Sequence, residues 1–445
     1  MPETKGRARD DLRLFRPEGH SLSHYGVVVR PANIQNYPLC RKNEMTGGLT
    51  AMPSVSPSYE STVHSLKEEF QRTFRTNPVI FRAPGRVNLI GEHTDYNDGF
   101  VMPAAIGFYS WIAAAPRADH TLHVRSEEFH ETLDLSLASL LGPPRRHWSD
   151  FVRGVAAVLQ GAGTPLGGAN LIIHGQVPMG AGLSSSASLE VATALALLSI
   201  SHATLPLRDV ALLCQRAEHE YVGTRCGIMD QFISVFALSA HALMLDCRSL
   251  DYETLAIPED VRLVICNSMV KHVLAGGEYN QRRTDCEAGV RIMQRHIPQV
   301  LALRDVEPSD LEKHKAELPE VVYRRCRHVI NENQRVLDAA AALRAGDLSR
   351  FGHLMYESHR SLRDDYEVSC SELDLLVEIA SACQGVYGTR MTGGGFGGCT
   401  ITLVRAEAVD RFQEQVAKQY KDVTGITPDI YICSAAQGAG EWQEP

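Results

Sequence analysis

The chain has no C-x-x-C pair, no excess of basic residues and no apolar run long enough to span a bilayer. Its eleven cysteines are odd in number and scattered from Cys40 to Cys433. That spread argues against a zinc site or a disulfide frame, and for unpaired thiols in a reducing compartment. Lys and Arg number 44 against 53 Asp and Glu, a formal charge of -9. Such a balance gives nucleic acid and anionic membranes no electrostatic hold, so neither is expected as a partner. Without a hydrophobic signal core near Met1, the cytoplasm is the default location. Missing too is the Walker pattern G-x-x-x-x-G-K-[ST], which excludes a P-loop as a nucleotide cradle. No internal repeat is visible.

What is present is a globular composition, 44% hydrophobic over 445 residues, which is more than one ordinary core accommodates. Residues 1–57 are rich in Arg, Pro, Gly, Ser and Asn and show no sustained period. They read as a disordered leader, or as sequence ahead of a true translation start at Met52. Two domains are expected beyond them, over 58–235 and 236–445. Helical spacing of Val63, Leu66, Phe70 and Phe74 predicts a helix over Tyr59–Phe74. A strand over Val79–Arg82 should then enter a turn at Pro84–Gly85. Further helices are expected at Ser149–Gly161, Ser185–His202, Leu207–Gly223, Asp230–Phe236, Tyr279–His296, Glu320–Ala345, Leu348–Asp364, Ser371–Ala382 and Ala408–Gly425. Strands are expected near Phe100–Pro103, Ser110–Ala115, Thr121–Arg125, Asn170–His174, Leu243–Asp246, Arg262–Asn267, Gly388–Met391, Cys399–Val404 and Asp429–Cys433. The irregular mixture favours an α+β fold over a βαβ wheel.

Four segments carry chemistry. In Pro84–Pro103, Arg86 is followed by Glu92, His93, Asp95 and Asp98 within seven residues. A lone acid in a loop is usually just solvated. Four short polar groups framed by apolar V-x-L-I-G and V-x-P suit a small polyol with several hydroxyls. In Val177–Ser188, VPMGAGLSSSAS, Gly180 and Gly182 shape a tight loop and serines open an apolar helix. An ordinary serine cap would look similar. The glycines tip the balance, because free amides at a helix start bind phosphate and a missing Cβ lets a ligand approach. A serine hydroxyl there can also ligate Mg²⁺.

The third segment, Cys226–Phe232, offers Gly227 for close backbone approach and Asp230 near a helix start, with Glu218 upstream. These are two carboxylates that a metal-assisted phosphoryl transfer can use. The fourth, Met391–Cys399, reads MTGGGFGGC and contains G-x-G-x-x-G at Gly393, Gly395 and Gly398. The dinucleotide fingerprint needs a helix next, but a β-rich CTITLV follows. A glycine loop pressed against a ligand or the phosphate loop is the better account.

Together these segments resemble the GHMP small-molecule kinases, and among them the galactokinase family. GRVNLIGEHTDYNDG is similar to that family's N-terminal signature, PMGAGLSSSAS to its phosphate-loop motif and MTGGGFGGC to its C-terminal motif. ESHRSLRDDYEVSCSELD, Glu357–Asp374, is also similar, without an assignable role. The resemblance covers Tyr59 to the C-terminus.

It implies a ribosomal-S5-like N-terminal domain that binds sugar and ATP, and a ferredoxin-like C-terminal domain closing the cleft. It implies Arg86 and Asp230 as catalytic, with Asp230 the base. Glu92, His93, Thr94, Asp95, Gly227 and Tyr279 would hold the sugar. Gly180, Ala181, Gly182, Leu183, Ser184, Ser185 and Ser186 would cradle ATP, while Ser186 and Glu218 bind Mg²⁺. The implied reaction moves the γ-phosphate of ATP to the C1 hydroxyl of α-D-galactose, in a protein expected to be a monomer. N-acetylgalactosamine kinases tend to carry Ile at the Thr94 position, and galactose sensors on this scaffold lack a Ser-Ala step that is intact here at Ser186–Ala187. Both remain as alternatives.

Overall fold

The structure, a computed structural model, describes residues 59–271 and 275–444. The expectations for residues 1–57 lie outside the described residues.

Among the described residues the strands form three sheets. The largest contains β1 (Val79–Asn88), β3 (Pro103–Arg117), β4 (Thr121–Ser126), β5 (Glu131–Ser136), β6 (Gly168–Gly175) and β13 (Gly440–Glu441), in the order β13-β1-β3-β6-β4-β5. Its pairs are antiparallel except β4 with β6. A four-stranded antiparallel sheet follows the order β10 (Val386–Thr392), β11 (Gly397–Arg405), β9 (Val261–Lys271), β12 (Asp429–Cys433). The smallest joins β2 (Phe100–Val101), β7 (His241–Asp246) and β8 (Tyr252–Ala256). The helices are α1 (Tyr59–Phe74), α2 (Ser149–Gly161), α3 (Ser185–Ile200), α4 (Leu207–Ala217), α5 (Met229–Phe236), α6 (Ala275–Met293), α7 (Pro308–Lys313), α8 (Glu320–Arg344), α9 (Leu348–Ser361), α10 (Ser371–Ser381) and α11 (Val409–Thr424).

Alternation along β1 and β3 sorts side chains onto two faces. Ile80, Trp111 and Ala113 meet Val63, Leu66 and Phe70 of α1 on one side. Phe81, Ile112 and Ala114 meet α2, α3, α4 and α5 on the other. Helix α3 is apolar around its circumference and therefore central. It buries Ala187, Val191, Ala194 and Leu197, which gives the serine-rich loop at its start a rigid mount. The four-stranded sheet is likewise covered on both faces. Leu263, Ile265 and Ile401 pack on α8 and α9, and Val264, Cys266 and Val404 on α10 and α11.

Three expectations need correction. Pro84–Gly85 is not a turn: β1 continues through it to Asn88, with a bulge between Pro84 and Arg86. The helices expected to end at Gly223 and Asp364 stop at Ala217 and Ser361, and each continues as a π turn, Glu218–Val222 and Leu362–Tyr366. The strands β5, β8 and β13 were not anticipated. Among the described residues the cysteines stand free, and no helix is long and apolar enough to cross a membrane.

Candidate active site

Just after the bulge in β1, Arg86 reaches into the gap between the serine-rich loop and α5. Its guanidinium makes two parallel hydrogen bonds to the Asp230 carboxylate, Nε to Oδ1 and Nη2 to Oδ2, each 2.7 Å. Nη1 donates to the Gly182 carbonyl at 2.7 Å, and the backbone amide of Arg86 donates to Leu183 O at 3.0 Å. Two parallel bonds to one carboxylate fix both planes, as only a guanidinium can.

The serine-rich loop is not an ordinary cap. Ser184, at the N-cap of α3, lies in the left-handed region with φ of 61° and makes no side-chain bond to its own helix. Its hydroxyl instead donates to Asp230 Oδ2 at 2.5 Å. The first-turn amides of α3 are thus left without a side-chain cap, which suits an anion. Ala181 and Leu183 turn into the core and shape the loop through their backbones. Gly180, Ser185 and Ser186 line a cavity of about 270 Å³. Its walls include Phe129 and Trp148, stacked with ring centroids 5.5 Å apart, together with Phe151, Ile173 and Leu189.

A second cavity, about 140 Å³, gathers Arg86, Glu92, His93, Asp95, Glu218, Asp230, Tyr279, Gly393 and Gly394. Glu92 is buried and its Oε1 accepts the Gly393 amide at 2.7 Å, tying the first motif to the glycine loop. Burial raises its pKa, although Arg390 and Arg86 pull the other way. His93 sits at φ of 64° and shares a 2.8 Å bond between Nδ1 and the Tyr96 hydroxyl. Its buried Nε2 has no partner in the protein. Burial holds the imidazole well below its ordinary pKa, so it is neutral and able to bond a hydroxyl. Asp95 is pushed up to about 7, by burial first and the Asp230 charge second.

Two expected sugar contacts are placed differently. Thr94 is fully buried, and its hydroxyl lies 2.8 Å from Gly91 O and 2.6 Å from Phe100 O. It closes its own loop rather than facing the cavity. Gly227 does not line the cavity either; a Cβ there would sit 2.0 Å from Asp95 Oδ2. Its absence makes room for the Asp95 carboxylate. Asp98 points away and pairs with Arg248 at 3.2 Å.

Glu218 opens the π turn, and its Oε2 accepts from Gln231 Nε2 at 2.8 Å. Burial, then the Asp230 charge, pushes it up to about 7, while hydrogen bonds from Cys226, Gln231 and Ser186 oppose the shift. The same Gln231 amide donates to Glu190 Oε2 at 3.0 Å. Glu190 is fully buried, and burial followed by the Glu218 charge raises its pKa well above the usual carboxylate range. It went unnoticed in the sequence, although a glutamate in a helix with no polar face was a signal.

The glycine loop packs on the serine-rich loop. Gly393 has φ of 85°, and a Cβ on it would meet Gly182 O at 2.8 Å. Since β11 follows the loop directly, the dinucleotide reading is excluded.

Residues 150–237 match the GHMP kinases N-terminal domain and residues 339–422 the GHMP kinases C-terminal domain. A crystal structure of mevalonate kinase shares the fold at a TM-score of 0.54 and 18% identity, over 80% of this chain and 98% of its own. The fold is thus that of the GHMP kinase class. Within it, residues 68–116 match the galactokinase galactose-binding signature. A galactokinase of Roseiflexus sp. (strain RS-1) is 48% identical over 376 residues, 84% of this chain and 96% of its own length. That of Chloroflexus aggregans is 49% identical over 370 residues, 83% and 95%. The structure of Lactococcus lactis galactokinase complexed with galactose has a TM-score of 0.83 at 35% identity, covering 86% of this chain and all of its own. The chain belongs to the galactokinase family.

Proposed function

We propose that this chain transfers the γ-phosphate of ATP to the C1 hydroxyl of α-D-galactose, giving galactose 1-phosphate and ADP. The observation that carries this reading is the Arg86–Asp230 pair. It lines the polar cavity while bonded to the phosphate loop through Gly182 and Ser184. Phosphoryl transfer needs alignment, charge neutralisation and a group to receive the hydroxyl proton. Asp230 receives that proton, and Arg86 both orients it and offsets charge on the transferred group. Glu92, His93, Asp95 and Tyr279 hold sugar hydroxyls. The uncapped amides of Ser185 and Ser186 hold phosphate, and the aromatic-walled cavity takes adenine. Residues 58–235 supply most of this site; Tyr279, Gly393 and Gly394 come from 236–445, which closes it. The free thiols support a cytoplasmic setting, and a monomer is the state we propose, to be checked by sedimentation.

Glucose differs from galactose at C4 alone, and a site built to bond a hydroxyl rejects an analogue that misplaces it. ADP release with ATP, Mg²⁺ and a panel of hexoses should rank galactose far above glucose. Equal specificity constants for the two would sink the assignment, and a preference for N-acetylgalactosamine would redirect it.

Ser186 and Glu218 suit Mg²⁺: they are neighbouring hard oxygen donors, and Glu218 has its acid proton affinity raised by burial that a cation would relieve. Bound there, the ion would neutralise charge on the phosphates. Ser186→Ala and Glu218→Ala should each raise the half-saturating Mg²⁺ concentration on the order of tenfold or more. A proton competes for Glu218 up to about pH 7, so the wild-type Mg²⁺ requirement should fall between pH 6 and pH 8. In Glu218→Gln that added dependence should vanish. Superimposable titrations for all variants would remove both residues from metal binding.

A further inference from the structure

The Glu357–Asp374 segment touches neither cavity with a reacting group, yet it is bonded to the backs of both loops that line the sugar side. Helix α8 stands between it and the sugar loop. Glu332 Oε1 accepts the Gly91 amide at 2.9 Å, and on the other side accepts the Ser358 hydroxyl at 2.6 Å. Four residues earlier on the same helix face, His328 Nε2 donates to the Glu92 carbonyl at 3.1 Å. Its Nδ1 lies 2.9 Å from the Ser361 hydroxyl. Asn333 Oδ1 accepts the Phe100 amide at 2.9 Å, closing the far end of the loop. His328, Glu332 and Ser358 are all essentially inaccessible to solvent.

The segment holds the glycine loop as well. Val368 O accepts the Phe396 amide at 2.7 Å, and His359 Nδ1 accepts the Met391 amide at 3.3 Å. The Tyr366 hydroxyl bonds that of Tyr96 at 2.8 Å, while its ring packs on His93 and His328 with centroids 4.7 and 4.6 Å away.

Buried polar groups that serve core stability alone do not need to converge on one loop. Here the bonds from α8 end on the backbone of residues 91, 92 and 100, which bracket Glu92, His93 and Asp95. The protonation states agree with the geometry. Burial is the largest influence on His328 and brings it down to about 4, so it stays neutral with its proton on Nε2. The single hydrogen of the Ser361 hydroxyl is shared between Nδ1 and Asp365 Oδ2, 3.0 Å away. Burial opposes ionisation of Glu332, but Arg335, His328 and Arg390 bring it down to about 2. A charged acceptor thus faces the Gly91 amide at every working pH, and such bonds are roughly twice as strong as neutral ones.

We propose that Ser358, Ser361 and Tyr366, acting through Glu332 and His328, are positioning residues for sugar recognition, a backing plate that sets the sugar loop without touching substrate. This rests on the galactokinase reading above. The arrangement acts on the sugar half of the site, because none of these residues reaches the serine-rich loop or the aromatic cavity.

The test is steady-state kinetics on the full chain with His328→Leu, His328→Gln, Ser358→Ala and Ser361→Ala, together with calorimetric galactose binding without nucleotide. His328→Leu removes the donor to Glu92 O and should raise both the KM and the Kd for galactose about tenfold, with the KM for ATP within twofold. His328→Gln retains a donor and should recover most of the loss. The serine variants should raise the galactose KM a few-fold in the same direction. Should His328→Leu fail to fold, the serine variants decide the matter. Parallel rises in both KM values, or a lowered melting temperature with galactose binding unchanged, would reduce the network to a structural one and overturn the proposal. Failure of the wild type to phosphorylate galactose would instead overturn the functional reading, and the wild-type assay reports that separately.

Discussion

Asp230→Asn should lower kcat about 10²–10⁴-fold while leaving galactose and ATP affinity within a few-fold of wild type. The substitution keeps the size of the side chain and one carbonyl oxygen for Arg86. It removes the carboxylate that can take a proton, and it sets an amide NH2 in place of one of the two oxygens that accept from Arg86 and Ser184. With one oxygen in place of two, Asn cannot accept from Arg86 Nε, Arg86 Nη2 and Ser184 Oγ together, so some reorientation of Arg86 is expected as well. Single-turnover measurements separate the chemical step from product release, and calorimetry reads the affinities independently. Turnover near that of wild type would take Asp230 out of the reaction. A large loss of galactose affinity with chemistry intact would make it a binding group instead.

Much of the fold was legible because local period decides it. The ends of α1, α2 and β12 fell where apolar spacing placed them. What escaped was decided at long range. Pro84–Gly85 has the composition of a turn, and a local reading gives one. In the fold, Gly85 lies so close to Leu183 O, 2.7 Å from a notional Cβ, that the strand is held through the pair and merely bulges. Strands β5, β8 and β13 are short and largely polar, and their pairing partners define them more than their own pattern does. The π turns at Glu218–Val222 and Leu362–Tyr366 both sit beside the site, where such irregularities gather.

The site was legible at the level of motif and less so at the level of atom. Arg86, Glu92, His93, Asp95, Asp230 and Tyr279 converge on one cavity, although Tyr279 was singled out only by the family resemblance. Thr94 did not, because a threonine in a polar loop gives no sign of which way its hydroxyl points. The role of the Glu357–Asp374 segment lies beyond local sequence: Ser361 meets His328, which reaches Glu92 across 236 residues of chain. Glu190 was passed over although it stands as the one acid in an apolar helix.

Gly227→Ala should cut kcat/KM for galactose about 100-fold, the penalty expected when a site group is displaced by an ångström or so. Gly227 is not at positive φ, so the backbone itself accepts alanine. The new Cβ, however, would lie 2.0 Å from Asp95 Oδ2 and 2.1 Å from its Cγ, and the whole carboxylate must move. Galactose binding should weaken while the KM for ATP stays within about twofold, since Gly227 is remote from the phosphate loop's cavity. Stability gives an independent readout. Asp95 has its folded pKa raised from 3.8 to about 7, so the folded protein holds that proton more tightly than the unfolded chain. Its contribution to stability is therefore lost as pH rises from about 4 through 7. If alanine drives the carboxylate into water, the variant escapes that loss. The melting-temperature deficit of Gly227→Ala should then be largest near pH 4 and shrink steadily towards pH 8, with other titrating groups cancelling between the two proteins. A deficit independent of pH, with galactose kinetics within twofold of wild type, would show that Asp95 can yield without consequence and that its buried position is not what the sugar site depends on.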